Sequence, residues 1–412
     1  MSEPQLKILC AGLSWPLETF LTRLVVGLAD AGAEVTIACK RQPDDDWLIH
    51  PRLHWLYTPD WQSKLPARLL RFGWMMGRAL ARAPGDIRLF ASYIQVMPNR
   101  LERLRMWHQL LPFAGYRWDV IYFPWNFAAL NLLPLFDLNC PVVISCRGSQ
   151  INVSSVASPD SVRPAIAEGL RSTFQRAAAI HCVSEAIKLE AVRYGLDPGK
   201  ARVIHPAVDM DFFFPSAPSG SHSDTFRVVT TGSLVWVKGY EYALQSIRHL
   251  VDRGIDVEFH LIGDGPERQR ILYTINDLGL EERVHLHGRL KPDEVREQLR
   301  MSDAFLLSSL SEGISNAVLE AMACGLPVVT TDCGGMREAV TDGKEGFVVP
   351  VRDPMEISTA LEKLASNPYL RRQMGEHGRR TVASMFDLKS QIDRFSDLCR
   401  VVSEGYLKHI AA

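Results

Sequence analysis

The sequence predicts an α/β protein built from two doubly wound parallel-sheet domains that face a central cleft. Length is the first reason: 412 residues, 47% of them hydrophobic, exceed the roughly 100–200 residues of one ordinary domain. The second is that short apolar runs alternate with amphipathic, helix-spaced segments in both halves of the chain, as parallel sheets with crossover helices require. The third is the polar, breaker-rich stretch Pro215-Ser216-Ala217-Pro218-Ser219-Gly220-Ser221, which divides the alternation as a surface linker would.

The opening run 7–11 is apolar and ends at Gly12, which reads as a strand and its turn. Over 16–30, Phe20, Leu21, Leu24, Val25 and Leu28 recur at helical spacing, and the Ala31-Gly32 break leads into a strand over 34–39. This βαβ unit puts Gly12 in a phosphate-sized loop at the end of the first strand. Runs at 120–123, 142–146, 180–183 and 203–204 read as further buried strands. Beyond the linker, strands are expected over 226–230, 257–262, 284–286, 304–307, 328–330 and 347–349, with helices such as 240–251 and 266–278 between them. Ligands of such sheets bind outside the carboxyl ends of the strands, so two facing domains share one cleft.

Composition narrows the partners. With 46 Lys and Arg against 47 Asp and Glu, the net charge of -1 excludes a globally basic nucleic-acid binder and an acidic disordered tail protein. Eight cysteines at 10, 39, 140, 146, 182, 324, 333 and 399 form no C-x-x-C pair, and a chain of this size needs no disulfide staples, so a reducing compartment is expected. Met1-Ser2-Glu3-Pro4 lacks the basic residues of a secretory signal. The apolar stretch 120–136 is interrupted by Pro124, Asn126, Asn131 and Pro134 and falls short of the ~20 clean apolar residues of a spanning helix. The expectation is a soluble, cytoplasmic protein.

The most informative segment runs from Ser308 to Val329. A polar loop, Ser308-Ser309-Leu310-Ser311-Glu312-Gly313-Ile314, leaves a strand at Leu307; Ser315 or Asn316 can then cap a helix running to Cys324, which Gly325 and Pro327 end. The free N–H groups of that helix start make an anion site. Glu312 lies just before it and Glu320 about a turn inside. Two carboxylates beside an anion site repel the anion unless they contact neutral hydroxyls of the same ligand, and a nucleotide sugar carries hydroxyls on both sides of its diphosphate.

This segment resembles the E-x7-E motif of retaining glycosyltransferases of family 4, which have the GT-B fold of two Rossmann-like domains. The resemblance implies that Glu312 contacts the donor sugar and Glu320 the ribose. It extends to Gly232-Ser233-Leu234 with Lys238-Gly239, similar to the family's strand-loop-helix that binds the donor diphosphate, and to Gly263-Asp264-Gly265-Pro266, His287-Gly288-Arg289, Gly334-Gly335 with Glu338, and Gly346-Phe347. Val183-Ser184-Glu185 and His205-Pro206 match its domain-closing stretch, and Leu17-Glu18-Thr19-Phe20 resembles the opening of a polysaccharide-assembly subgroup. The implied division is an acceptor domain over 1–210, a donor domain over 211–387, and a helix over 388–412 that packs back on the first. The implied donor set is Gly12, Ser233, Lys238, Gly263, Gly265, Arg289, Glu312, Gly313, Ile314, Ser315, Asn316 and Glu320. Glu312, Lys238 and Arg147 are the candidate catalytic residues.

Two positions depart from the family pattern: Ser233 stands at the usual diphosphate Arg, and Arg147, in Ile144-Ser145-Cys146-Arg147-Gly148-Ser149-Gln150, stands at a frequent His. Arg147 is therefore expected to reach across the cleft and replace charge missing at Ser233. The activity implied is transfer of a sugar from a UDP or GDP sugar to a glycan or lipid-linked hydroxyl, with same-face attack assisted by the leaving phosphate and with neither metal nor cofactor. The rivals are a catalytically weak donor-binding partner subunit and a nucleotide-sugar epimerase, which shares the architecture but not the Glu312 to Glu320 segment.

Weaker signals have bland explanations. Asp209-Met210-Asp211 has the D-x-D form of metal-dependent transferases but sits in a loop between domains, and His285 and His287 read as ordinary strand residues rather than a zinc pair. Residues 61–118 hold ten basic and two acidic side chains, interleaved with Trp61, Phe72, Trp74, Met75, Met76, Phe90, Tyr93, Met106 and Trp107. Such basic amphipathic helices suit an anionic membrane surface or a lipid-linked acceptor, and no motif for nucleic acid accompanies them.

Overall fold

The computed structural model describes residues 5–41, 50–59, 65–148, 151–152, 163–216 and 225–411. The first sheet contains β1 (Lys7–Leu13), β2 (Glu34–Cys39), β3 (Leu53–Tyr57), β4 (Val120–Phe123), β5 (Val142–Cys146), β6 (Ala179–Cys182) and β7 (Ala201–Val203), in the order β3-β2-β1-β4-β5-β6-β7. The second contains β8 (Phe226–Thr231), β9 (Val257–Ile262), β10 (Val284–Gly288), β11 (Ala304–Leu307), β12 (Val328–Thr331) and β13 (Gly346–Val349), in the order β10-β9-β8-β11-β12-β13. Every strand pair in both sheets is parallel. Each order reverses once, between β1 and β4 in the first sheet and between β8 and β11 in the second, and at such a switch point the loops diverge and leave a crevice.

Helices pack on both faces: α1 (Thr19–Asp30), α2 (Leu65–Arg82), α3 (Pro84–Ile94), α4 (Arg100–Leu110), α5 (Asn126–Asn131), α6 (Arg163–Arg176) and α7 (Glu185–Arg193) in the first half; α8 (Tyr240–Asp252), α9 (Arg268–Asp277), α10 (Pro292–Arg300), α11 (Asn316–Ala323), α12 (Met336–Ala339), α13 (Pro354–Ser366) and α14 (Pro368–Met385) in the second. Alternating side chains supply two cores to the first sheet. Leu9, Ile121, Phe123 and Ile144 pack on one side with Phe90 and Phe113, while Ile8, Cys10, Val120, Tyr122 and Val143 pack on the other with α1. α15 (Leu388–Ala411) returns to that second side, where Phe395, Leu398 and Cys399 join the cluster. The tract 217–224, most of the linker, lies outside the described residues, as do Trp61 and Lys64.

The strands of the second half match the sequence expectation to within two residues, whereas β3 and the extents of α2 to α4 were not anticipated. β3 is an edge strand whose pattern Leu53 buried, His54 exposed, Trp55 half-buried, Leu56 buried, Tyr57 exposed breaks clean alternation. All eight cysteines are buried free thiols. No helix among the described residues is long and apolar enough to cross a membrane.

The halves touch through named contacts. Val208 and Asp387 form an isolated parallel bridge where the chain crosses between the sheets, and the Val208 N–H donates to the Phe386 carbonyl at 3.0 Å. The Glu338 carboxylate, at the end of the second sheet's α12, accepts from the Glu185 and Ala186 N–H groups at the start of α7 (2.9 and 3.0 Å) and pairs with His205 Nε2 at 3.0 Å. Burial alone would raise the pKa of that carboxyl, but His205 and the two amides lower it overall, so it is the charged form that these contacts hold.

Candidate active site in the cleft

The second sheet's wall is assembled by backbone. Gly232 N–H donates to the Ile262 carbonyl (2.9 Å), Leu234 N–H to Asp264 (3.0 Å), and Gly263 N–H to Gly288 (2.8 Å), so the loops after β8, β9 and β10 are laced together, with Gly263 against Gly232, Gly265 against Leu234 on the two sides of Ser233, and exposed Arg289 directly after Gly288. The Leu310 N–H donates to the Val237 carbonyl at 2.7 Å and Ser308 Oγ to the Lys238 carbonyl at 2.9 Å, which brings Lys238 against the loop after β11. Lys238 Nζ then meets Glu312 Oε1 at 2.6 Å, and Ser309 Oγ donates to the same oxygen at 2.8 Å. Both ends of this ion pair are largely buried, at 21% and 14% exposure, which makes its charges far stronger partners for a ligand than they would be in open water.

Below that pair the chain needs glycine. Gly334 has φ +56, and a Cβ there would stand 1.7 Å from the Glu312 carbonyl oxygen; the following Gly335 N–H donates to the Gly313 carbonyl at 2.7 Å. The Gly334-Gly335 pair is thus the floor on which Glu312 and Gly313 rest. From the opposite domain Gly148 approaches so closely that a Cβ on it would lie 2.4 Å from the Gly313 nitrogen. The two sheets meet at Glu312-Gly313.

α11 begins at Asn316 with Ser315 in the N-cap position, as expected, but the Ser315 hydroxyl accepts no bond from the first turn, and its own N–H points to Met336 Sδ at 3.4 Å. The cap is positional only. Ile314 is buried in the core beneath, and Asn316 Oδ1 is buried without a hydrogen-bond partner. Glu320 projects from mid-helix to Arg23 of α1 at 3.5 Å, a contact across the cleft, and burial pushes its carboxyl up to about 7 against the opposing pull of Arg23. Arg23 also lies over the Phe213 ring at 5.5 Å.

The first sheet's wall is made of side chains. Gly12 lies within the end of β1 rather than in the loop expected after it: with φ +76 it sits where the register with β2 shifts between Cys10 and Leu13, against Ala128 of α5 across the switch point. Arg147 follows β5 and stacks on Phe20 at 3.9 Å and over Trp125 at 5.7 Å, with its Nε buried and unpaired. Burial raises the Glu18 carboxyl, and the Arg147 charge offsets part of that, so Glu18 is the anionic neighbour that the sequence around Arg147 lacks. In this conformation the guanidinium rests among the aromatics of its own domain, one residue from the Gly148 contact. Behind it Tyr122 OH, Ser145 Oγ and His181 form a buried chain ending on the Ile204 carbonyl, and burial together with Arg147 lowers His181 to about 3, which keeps the imidazole neutral. A cavity of about 320 Å³ opens at this end of the sheet, lined among others by Gly12, Lys40, Arg105, His108 and Asn131.

Sequence reasoning did not single out Arg23, Ser309 or Asn126. Asn126, fully buried at the start of α5 with both side-chain polar atoms unpaired, follows Trp125 directly, and an Asn in an apolar run was the available signal. Arg23 stands between the apolar positions of α1 and carries no sequence signal of its own. The D-x-D carboxylate of Asp209 is engaged locally, accepting from the Asp211 and Phe212 N–H groups at 3.1 and 3.0 Å.

Comparison with known proteins bears on this geometry. Residues 17–212 match the family model described as Glycosyltransferase Family 4, and 214–381 match Glycosyl transferases group 1, which between them leave only 1–16, 213 and 382–412 unmatched. N-acetyl-alpha-D-glucosaminyl L-malate synthase of Bacillus anthracis is 34% identical over 39% of this chain and 42% of its own length. WcaL of Salmonella typhimurium, assigned as a colanic acid biosynthesis glycosyltransferase, is 25% identical over 86% of this chain and 89% of its own. Several of the curated relatives are thus matched over less than half their length. Among solved structures, sucrose-phosphate synthase from Thermosynechococcus elongatus superposes with a TM-score of 0.74 at 18% identity, covering 98% of this chain and all of that one. HepE of Anabaena, solved with UDP and glucose, gives 0.70 at 17% identity over 96% of this chain and all of its own. With two switch-point crevices facing each other and both family models matched in sequence order, the chain belongs to glycosyltransferase family 4 and has the GT-B fold.

Proposed function

We propose that this chain transfers a glycosyl unit from a nucleoside diphosphate sugar to a hydroxyl of a glycan or lipid-linked acceptor, with retained anomeric configuration, in the synthesis of cell-surface polysaccharide or a glycoconjugate. The observation that carries the proposal is the buried Lys238–Glu312 pair at the point where the two sheets touch. A departing diphosphate would draw Lys238 away from Glu312 and free that carboxylate for sugar hydroxyls, while the α11 start and its uncapped N–H groups would stabilise the remaining phosphate charge. Residues 211–387 take the donor in this proposal and 1–210 the acceptor, with Glu320 and Arg23 meeting the ribose from opposite sides. Closure of the halves would exclude water and limit donor hydrolysis. Neither metal nor cofactor enters the scheme.

The test is turnover by the purified chain against a panel of UDP and GDP sugars, with the product's anomeric centre read by NMR. Inverted product, or tight donor binding with neither hydrolysis nor transfer, would overturn the proposal; the second outcome would favour the partner-subunit alternative that Ser233 motivates.

Membrane contact is the second part. α2 and α4 expose Leu69, Leu70, Trp74, Leu80, Leu101 and Leu104, with basic side chains around them. Arg71 and Arg78 are engaged within the domain, on Tyr57 at 3.2 Å and Tyr116 at 2.6 Å, so the apolar row is the better target. Leu70→Ser with Trp74→Ser should cut sedimentation with anionic vesicles severalfold and leave donor hydrolysis intact; unchanged sedimentation assigns this face to solvent.

A further inference from the structure

Far along the second sheet from the Glu312 loop, three histidines and a glutamate that the cleft does not use come together. Glu258 and His260 lie two apart on β9, His285 and His287 two apart on β10, and the register pairs His285 with His260, so all four side chains share one face of the sheet. One ligand atom each from Glu258, His260 and His285 fits within a 4.8 Å cluster. His260 Nε2 stands 3.4 Å from Glu258 Oε2, about the edge of a tetrahedron around a zinc ion with bonds near 2.0–2.1 Å.

We propose that Glu258, His260 and His285 form a site for a divalent transition-metal ion of the zinc type, with His287 as a positioning residue. The positioning argument comes from the other face of the His260 ring. His260 Nδ1 lies 3.0 Å from His287 Nε2, with the two rings stacked at 14°. A His260 that donates Nδ1–H to His287 presents an unprotonated Nε2 toward Glu258 and His285, as metal-ligating histidines do when a second partner holds their remaining N–H. Arg227 Nε fixes the Glu258 carboxylate at 3.1 Å. His260 is buried and His285 and His287 half-buried, and β10 is the sheet's edge, which leaves an entry path and room for water or another ligand in the fourth position. The groups facing the cluster are Arg227 from β8 and, around His287, Asp293, Glu294 and Glu297 of α10. The nearby Arg227 charge disfavours ions held by charge alone, so imidazole-preferring metals are selected over Mg²⁺ and Ca²⁺.

The experiment is calorimetric titration of the whole chain with Zn²⁺, with Mg²⁺ and Ca²⁺ as comparison ions. One equivalent of Zn²⁺ should bind at pH 7.5, raise the melting temperature and be insensitive to excess Mg²⁺. His285→Ala and Glu258→Gln should each weaken binding by about 10–100-fold, with His287→Ala in the lower part of that range, and His377→Ala, half-buried on α14 away from the cluster, should not matter. His285→Ala is the decisive variant because its half-buried edge position tolerates truncation better than His260. Absence of saturable binding in the folded protein, or affinity unchanged in both His285→Ala and Glu258→Gln, overturns the proposal.

Discussion

The two walls of the cleft are built by different means. On the second sheet, backbone hydrogen bonds and glycine contacts fix the loops, and Lys238 and Glu312 inherit their positions from them. On the first, Arg147 is held by ring faces, with the Glu18 carboxylate as its electrostatic neighbour, Asn126 is held by nothing that satisfies its amide, and Gly12 meets a side chain rather than a carbonyl. A wall made of backbone cannot vary without rearranging its sheet, whereas a wall made of side chains can be changed one residue at a time. In the function proposed above, that division would let the donor half keep one chemistry while the acceptor half is fitted to a particular partner.

The largest effect should come from the backbone-built wall. Lys238→Ala is expected to lower turnover by at least ~100-fold while the far-ultraviolet spectrum stays unchanged, since loss of one charge-stabilising donor costs a few kcal/mol at the transition state. Near-wild-type turnover at saturating donor would remove Lys238 from the site.

The contrast itself can be tested with two glycines. Gly334→Ala forces a Cβ onto the Glu312 carbonyl at positive φ and should abolish most activity, with no single side-chain change able to rescue it. Gly12→Ala also sits at positive φ, but its clash is with the Ala128 Cβ, 2.3 Å away, so adding Ala128→Gly should recover part of the loss. If the Gly12 double variant is no better than the single, the first wall is as rigid as the second.

Arg147→Ala is expected to lower transfer by about 10–100-fold, because it removes a half-buried cation stacked on Phe20 at the cleft and the charge that offsets the Glu18 carboxylate. Should Ser233→Arg restore activity in that background, Arg147 acts on the donor phosphate from across the cleft. Should it not, with both proteins folded, the stacked position on Phe20 describes its role and it serves the acceptor side.

The mildest prediction concerns Glu320. Glu320→Gln should weaken nucleotide by about 10-fold. Its effect on stability has a sign that can be worked out. With the folded-state pKa near 7 against an ordinary carboxyl value of 4.5, the folded protein holds the proton more tightly, so this group's contribution is fully present below pH 4.5 and lost as pH rises through about 7. Glutamine, which cannot ionise, should therefore raise the melting temperature of the ligand-free protein by about 1–3 °C at pH 8 and little at pH 5. An equal shift at both values would mean that Glu320 is not ionising against burial.

The same contrast explains what could be read from the chain before its structure. Loops pinned by backbone need particular residues in fixed order, so Lys238-Gly239, Gly263, Glu312-Gly313 and Gly334-Gly335 stand out in one dimension, and a central strand such as β11 is an unbroken apolar run because both its faces are covered. The side-chain wall leaves little trace. Nothing near Arg147 in sequence announces Glu18, more than a hundred residues earlier, and Arg23 becomes a partner of Glu320 only when two sheets are set face to face. The histidines of β10 read as ordinary strand residues because His260, which lies against them, belongs to the neighbouring strand. Length, alternation and the breaker-rich linker were enough for the fold; contacts between distant elements had to be seen.

The return of α15 to the first sheet has a consequence for synthesis. Phe395, Leu398 and Cys399 complete a cluster whose other members include Ile8, Leu24 and Val120, and Gly27 lies so close to Ile392 that the helix seats without a gap. When the first half leaves the ribosome, that face has no cover, and it waits while some 180 residues of the second sheet and its helices are made. The half translated first is therefore the last to become complete, and for that interval the nascent chain presents an apolar groove on α1 that a chaperone would have to shield.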